Sequence, residues 1–166
     1  MQKIEEAKIE LIKRSIRSRV YKESFNVSGY SMYPFIKPND KIKVEYKNQY
    51  NFGDIIIFQK RKLCIHRVLS KGKDKYYAKG DHNIFPDGYI DTNNILGSVV
   101  SINNISKKTS NFDRFIAFIS LFELYLFVAF KKINNKLPNK IRLNEWKSFR
   151  PYYSLLSFID KFHKKE

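Results

Sequence analysis

Ser31 lies in the stretch Val27–Asp40 (VSGYSMYPFIKPND), between Gly29, which allows a tight backbone, and Pro34, which keeps a helix from starting at once. A serine becomes a useful nucleophile only when a base stands beside it and an exposed turn presents it. Most loop serines are plain turn hydroxyls, so the chemistry depends on a partner. His66, in the middle of LCIHRVL (Leu63–Leu69), is the natural one, because an imidazole titrating near neutrality can take a hydroxyl proton. Strand alternation puts Cys64 and His66 on one face of that run, with Ile65 and Arg67 on the other. A third group should orient the imidazole, and the loop KGDHNIFPDG supplies Asp81 and Asp87. Each of these also reads as a turn former beside glycine, most strongly Asp87 before Gly88. His82 reads as an exposed loop residue. No third ligand stands at a recognisable spacing from it, so no metal and no cofactor are expected.

Positioning these groups falls to short strands. The runs Lys41–Glu45 (KIKVE), Asp54–Phe58 (DIIIF), Leu63–Leu69, Lys75–Ala78 (KYYA) and Ile95–Ile102 (ILGSVVSI) are separated by PND, NFGD, SKGKD, KGDHN and FPDGY. No helical pattern intervenes, and an antiparallel, mainly β domain follows over residues 23–106. Ahead of it, residues 1–22 read as an amphipathic helix with its apolar positions among charges and no signal-type apolar run. Residues 107–166 form a helical, aromatic and basic C-terminal region. Within it Phe115–Phe130 (FIAFISLFELYLFVAF) is apolar apart from Ser120, Glu123 and the edge-polar Tyr125. At about 24 Å as a helix it falls short of the roughly 30 Å hydrocarbon core, so packing on the domain, lying in a membrane interface and spanning all compete. The last twenty residues read as a second amphipathic helix, with Pro151 at its start.

The chain has 166 residues and a formal charge of +16. Residues 1–30 contribute +3, residues 31–110 +7, residues 111–130 −1 and residues 131–166 +7. With 43% hydrophobic and 16% aromatic residues it is neither a disordered chain nor a polytopic membrane protein. One cysteine excludes an intramolecular disulfide and a cysteine-based zinc cluster. The basic excess points to an anionic surface, phospholipid or nucleic acid, or to a plain solvated face.

Taken in order, the blocks GYSMYPFIKPND, FGDIIIF, IHRVL, YYAKGDHNIFPD and ILGSVVSI resemble the type I signal peptidase family, over roughly residues 25–103. The similarity is closer to its archaeal and endoplasmic-reticulum branch than to the usual bacterial enzymes. The resemblance implies an antiparallel, coiled β-sheet peptidase domain of the signal peptidase/LexA type. It makes Ser31 the nucleophile and His66 the general base, at the position that holds Lys in the usual bacterial enzymes. Asp87 becomes the group that orients the base, and Asp81 a shaper of its loop. Ser28, Gly29 and Met32 become the oxyanion and substrate-binding positions beside the Ser31 N–H. The family's hydroxyl there usually stands two residues before the nucleophile, where this chain has Gly29. The implied activity is endoproteolysis of a signal or leader peptide after small residues, the substrate binding as an extended strand.

The family normally carries an N-terminal membrane anchor, which the charged amphipathic helix replaces here. The expectation is therefore membrane association through residues 115–130, with an anionic membrane surface as partner and no nucleic acid. A cytoplasmic enzyme acting on a leader peptide is the variant of that reading. Two readings of other classes stand beside it. One is a non-catalytic basic binder of membrane or nucleic acid on a peptidase-like scaffold. The other is a LexA-type self-cleaving regulator, which would need Lys at the base position and an N-terminal DNA-binding domain of several helices.

Overall fold

A computed structural model describes residues 23–83 and 85–136, together with residues 7, 10–12 and 14–16. Eight strands form one antiparallel sheet: β1 (Glu23–Asn26), β2 (Lys41–Glu45), β3 (Ile55–Gln59), β4 (Leu63–Lys71), β5 (Lys75–Lys79), β6 (Gly88–Asp91), β7 (Ile95–Ile102) and β8 (Ile105–Ser106). Their order is β1-β2-β7-β3-β4-β5-β6, with β8 paired to β7, and the sheet is open. A C-terminal helix, α1 (Asn111–Lys136), follows. β2 and β7 have the limits their patterns suggest, and β3, β4 and β5 differ only at their ends. The strands β1, β6 and β8 carry too few alternating residues to stand out; β6 begins inside a Pro-Asp-Gly turn signal.

Both faces of the central strands are buried, which is why DIIIF reads as a continuous apolar run rather than an alternation. Ile55 and Ile57 of β3 join a first core with Val27, Met32, Ile36, Ile42, Val44, Leu96 and Val99. Ile56 and Phe58 join a second core with Tyr50, Val68, Tyr76, Ala78, Ile90 and Ile95. Register shifts at Lys43/Val44, Ile57/Phe58 and Val68/Ser70 bend the sheet between these layers. The described N-terminal residues are helical, and Ile16 is buried in the first core with Ile12 against it. The rest of the expected helix over residues 1–22 lies outside the described residues, as does the second C-terminal helix.

The start of α1 is capped and clamped at once. Ser110 and Asp113 form a reciprocal capping box: the Ser110 N–H donates to Asp113 Oδ2 at 2.9 Å, and the Asp113 N–H to Ser110 Oγ at 3.2 Å. Asp113 also accepts from Arg67 Nη1 at 2.9 Å and from Lys107 Nζ at 2.7 and 2.6 Å. Gly53, at φ +91°, lets the helix seat itself, because a Cβ there would meet the Arg114 backbone nitrogen at 3.1 Å. Further along, Lys79 Nζ donates to Glu123 Oε2 at 3.0 Å, and Ile116, Ala117 and Ser120 are buried. The 115–130 segment is thus packed on the domain by one face. No helix among the described residues is long and apolar enough to cross a membrane.

Burial opposes the Asp113 charge, but Arg67, Lys107 and the Ser110 N–H outweigh it and hold the carboxyl at about 2. A carboxyl depressed from 3.8 contributes stability that is present above pH 4 and lost as the pH falls towards 2. That contribution is about 2 kcal/mol. Urea unfolding between pH 5 and 2 should show this loss, and Asp113→Asn should remove most of it. Arg67→Ala, which strands two buried carboxylates, should cost about 3–5 kcal/mol at neutral pH.

Candidate active site

Ser31 opens a single helix-like turn. The Tyr33 N–H donates to Tyr30 O, and the Phe35 and Ile36 N–H groups both donate to Met32 O, each at 3.0 Å. The Tyr33–Pro34 peptide is cis. The turn is held at its base by Met32 and Ile36, both buried in the first core, while Ser28, Gly29 and Tyr30 remain exposed. From the other side the loop between β5 and β6 reaches over: the His82 N–H donates to Ser31 O at 2.8 Å. His82 itself is exposed, its ring edge-on to Tyr33.

His66 is 4% exposed, and its ring stands edge-on to Phe58. Its Nδ1 meets Asp87 Oδ2 in a close contact. With Nδ1–H donating to the carboxylate, Nε2 is the basic nitrogen, and the amide of Asn83 lies 3.5 Å from it. Lys60 Nζ sits 3.6 Å from Asp87 Oδ1 and donates to the Asp87 carbonyl at 3.2 Å. Being more than half exposed, it adds little energy but does fill out the carboxylate's surroundings.

Asp81 does something else. It is fully buried and takes a bidentate pair from Arg67, Nε at 2.9 Å and Nη2 at 2.8 Å. Burial works against the Arg67 charge, yet Asp81 and Asp113 raise its pKa above the ordinary range. Alternation along β4 therefore turns His66 to the cleft and Arg67 into the interior, where it grips the loop that carries Asp87.

The cleft has a volume of about 500 Å³ and includes Ser28, Gly29, Ser31, Met32, Cys64, His66, Asn83 and Asp87 in its wall. Ser31 and His66 therefore share one cavity, and Gly80 shows how near the Ser31 backbone carbonyl comes to the His66 ring. A Cβ built on Gly80 would lie 2.6 Å from Ser31 O and 2.9 Å from His66 Cδ2, which together bound the separation of those two atoms at about 5.5 Å. Cys64 is a second possible nucleophile. Burial first, then the Asp87 charge, pushes its thiol up, so the reactive thiolate is scarce at neutral pH.

Among the described residues, two strand edges beside this cavity have no partner strand. β4 pairs β3 from Leu63 onward but meets β5 only from Arg67, which leaves one side of Leu63–His66 without a partner strand. β1 pairs only β2. Residues Phe25 and Asn26 of β1 and Leu63–Ile65 of β4 all line the cleft.

All of the candidate residues thus gather around one cavity except Asp81, which is turned away into the ion cluster. Sequence reasoning did not single out Asn83 or Lys60, whose types are ordinary for turns. It also passed over Arg67, although a guanidinium inside LCIHRVL is itself a sign of a buried carboxylate partner. Among the described residues no three His, Cys, Asp or Glu side chains cluster as a metal site would. Neither a protein-family model nor a curated protein sequence matches the chain.

Gly80→Ala would push a methyl into the carbonyl of Ser31, the amide of Asn83 at 2.8 Å and the ring of His66. It should cost about 1–3 kcal/mol in urea unfolding. It should also shift the ring resonances of His66, a change absent from Gly72→Ala controls, where the added Cβ makes only an ordinary 3.5 Å contact with Lys75 O.

Proposed function

We propose that the chain is a serine endopeptidase of the signal-peptidase type, built on the antiparallel peptidase sheet of that family and of the LexA-like regulators. The observation that carries this reading is the His66–Asp87 contact in a cleft that Ser31 also lines. In the proposed reaction a peptide adds as an extended strand beside β1 and Leu63–Ile65, using the open edges there. Ser31 Oγ attacks the scissile carbonyl while His66 Nε2 takes its proton, and Asp87 stabilises the imidazolium through Nδ1. The Ser31 N–H faces the charge that develops on the oxygen. His66 then returns the proton to the leaving amine, and water frees the acyl group from Ser31 by the same route.

The substrate is a signal or leader peptide with small residues before the cut, which is what the resemblance of the five sequence blocks implies. A self-cleaving regulator is a poorer fit, because His66 rather than Lys stands at the base.

Ser31→Ala should abolish cleavage of peptides with small residues before the scissile bond and leave the thermal midpoint unmoved. Asp87→Asn should lower kcat by about 10³–10⁴-fold. Asp81→Asn should instead lose stability, since its partner is Arg67. Cleavage that survives in Ser31→Ala would overturn the assignment of the nucleophile. A Cβ at Gly29 meets nothing within 4 Å. Gly29→Ser should therefore fold normally and, by adding a hydroxyl donor beside the oxyanion, raise kcat by about tenfold.

A further inference from the structure

Helix α1 is amphipathic the wrong way round for a helix in water. Its polar side chains Asp113, Ser120 and Glu123 turn towards the sheet. Its outer stripe is Phe115, Phe118, Phe122, Tyr125, Leu126 and Ile133, spaced to fall on one face, with the four aromatics 51–69% exposed. Asp113 and Glu123 are the only acids in residues 111–136, and both are tied down by cations of the domain. The outer stripe therefore presents no negative charge.

A cationic groove adjoins the start of this stripe. It holds about 600 Å³ between β2, β7 and the segment leading into α1, and Lys43, Lys47, Lys107, Lys108 and Arg114 line it against Glu45 and Asp54. Lys47 is paired with the buried Asp54 at 3.9 Å and Lys107 with Asp113 at 2.6 Å, so Lys43, Lys108 and Arg114 carry the groove's positive excess. Arg114 belongs to the groove, and the next residue, Phe115, begins the stripe. Lys132 is exposed at the far end, about 27 Å along the axis from Arg114 and five turns on from it, so at the same position around the helix.

From this arrangement we infer that α1 is an in-plane docking helix for an anionic phospholipid surface. The aromatic stripe enters the headgroup–acyl boundary, and the groove and Lys132 take lipid phosphates at either end. The ion pairs from Arg67 and Lys79 hold the helix along the sheet rather than across a bilayer. A nucleic acid would use the cations and could stack on single rings but leaves a continuous apolar stripe that includes Leu126 and Ile133 unexplained, and a protein partner leaves the paired cationic ends unexplained. Phe85, in the loop between Asp81 and Asp87, stacks edge-on to Phe127 at 5.2 Å. Phe127 falls on the sheet side of α1, so this contact ties the loop to the inner face of the helix. The inference stands whether or not Ser31 is a nucleophile.

The test is co-sedimentation of the full chain with vesicles of phosphatidylcholine alone or mixed with phosphatidylglycerol, at moderate salt. Wild type should partition onto the phosphatidylglycerol vesicles, and Phe118→Ser/Phe122→Ser and Lys108→Glu/Arg114→Glu should each weaken this by about tenfold or more. Both variants should keep the wild-type thermal midpoint, and the Phe pair should still cleave soluble peptide if the wild type does. Three results would each overturn the inference. One is absence of wild-type binding, or equal binding to both vesicle types. Another is unchanged binding in the variants, which would assign it to residues 137–166. The third is a dimer that the Phe pair turns into a monomer without change in vesicle partitioning.

Discussion

A single buried guanidinium holds this structure together. Arg67 reaches Asp81 in the loop before β6, the Gly53 carbonyl ahead of β3, and Asp113 in the first turn of α1. The ring of Phe35, in the turn that Ser31 opens, lies 5.6 Å from it. Removing an arginine and two carboxylates from water is costly, and such a cluster breaks even only when nearly every donor and acceptor is used. Here the bidentate pair, the carbonyl and the capped aspartate come close to using them all. What the cluster secures is a relation between segments far apart in the chain: strand β4, the loop before β6, and the helix.

That relation matters because the proposed base and the clamp are adjacent residues. His66 and Arg67 point to opposite sides of β4, as successive strand residues must. The loop from Gly80 is pulled down by Asp81 on the interior side and emerges again so that Asp87 can meet His66 on the cleft side. The two carboxylates, alike in sequence context, thus divide the work. One holds the loop in place, and the other presents its oxygen to the imidazole. Gly80 stands at the closest approach of these parts, where there is no room for a methyl group.

Helix α1 shows the limits of reading hydropathy without a partner surface. Ser120 and Glu123 are the polar interruptions in Phe115–Phe130, and they suggest a weak solvent-facing side. They are instead turned to the sheet, Glu123 because a buried lysine waits there. With the polar side chains consumed by the domain, the phenylalanines are left outward, and the exposed apolar stripe results from where the charges are satisfied. Apolar content alone could not distinguish this from a helix buried on all sides.

Much of this protein was legible in its residues. The five main strands follow from apolar runs between turn clusters, and Ser31, His66 and the two aspartates stand out by type and setting. Nothing local in the sequence separates Asp81 from Asp87, since both sit in turn-forming surroundings a few residues apart. Only the folded chain decides between them, because the choice is made by Arg67, which lies fourteen residues before Asp81 but is paired across the sheet. Likewise the apolar run 115–130 is set by the sequence, but the direction in which it faces is not. Strand pattern is a property of neighbouring residues, whereas the pairing of buried charges depends on which distant segments the sheet register brings within 3 Å of each other.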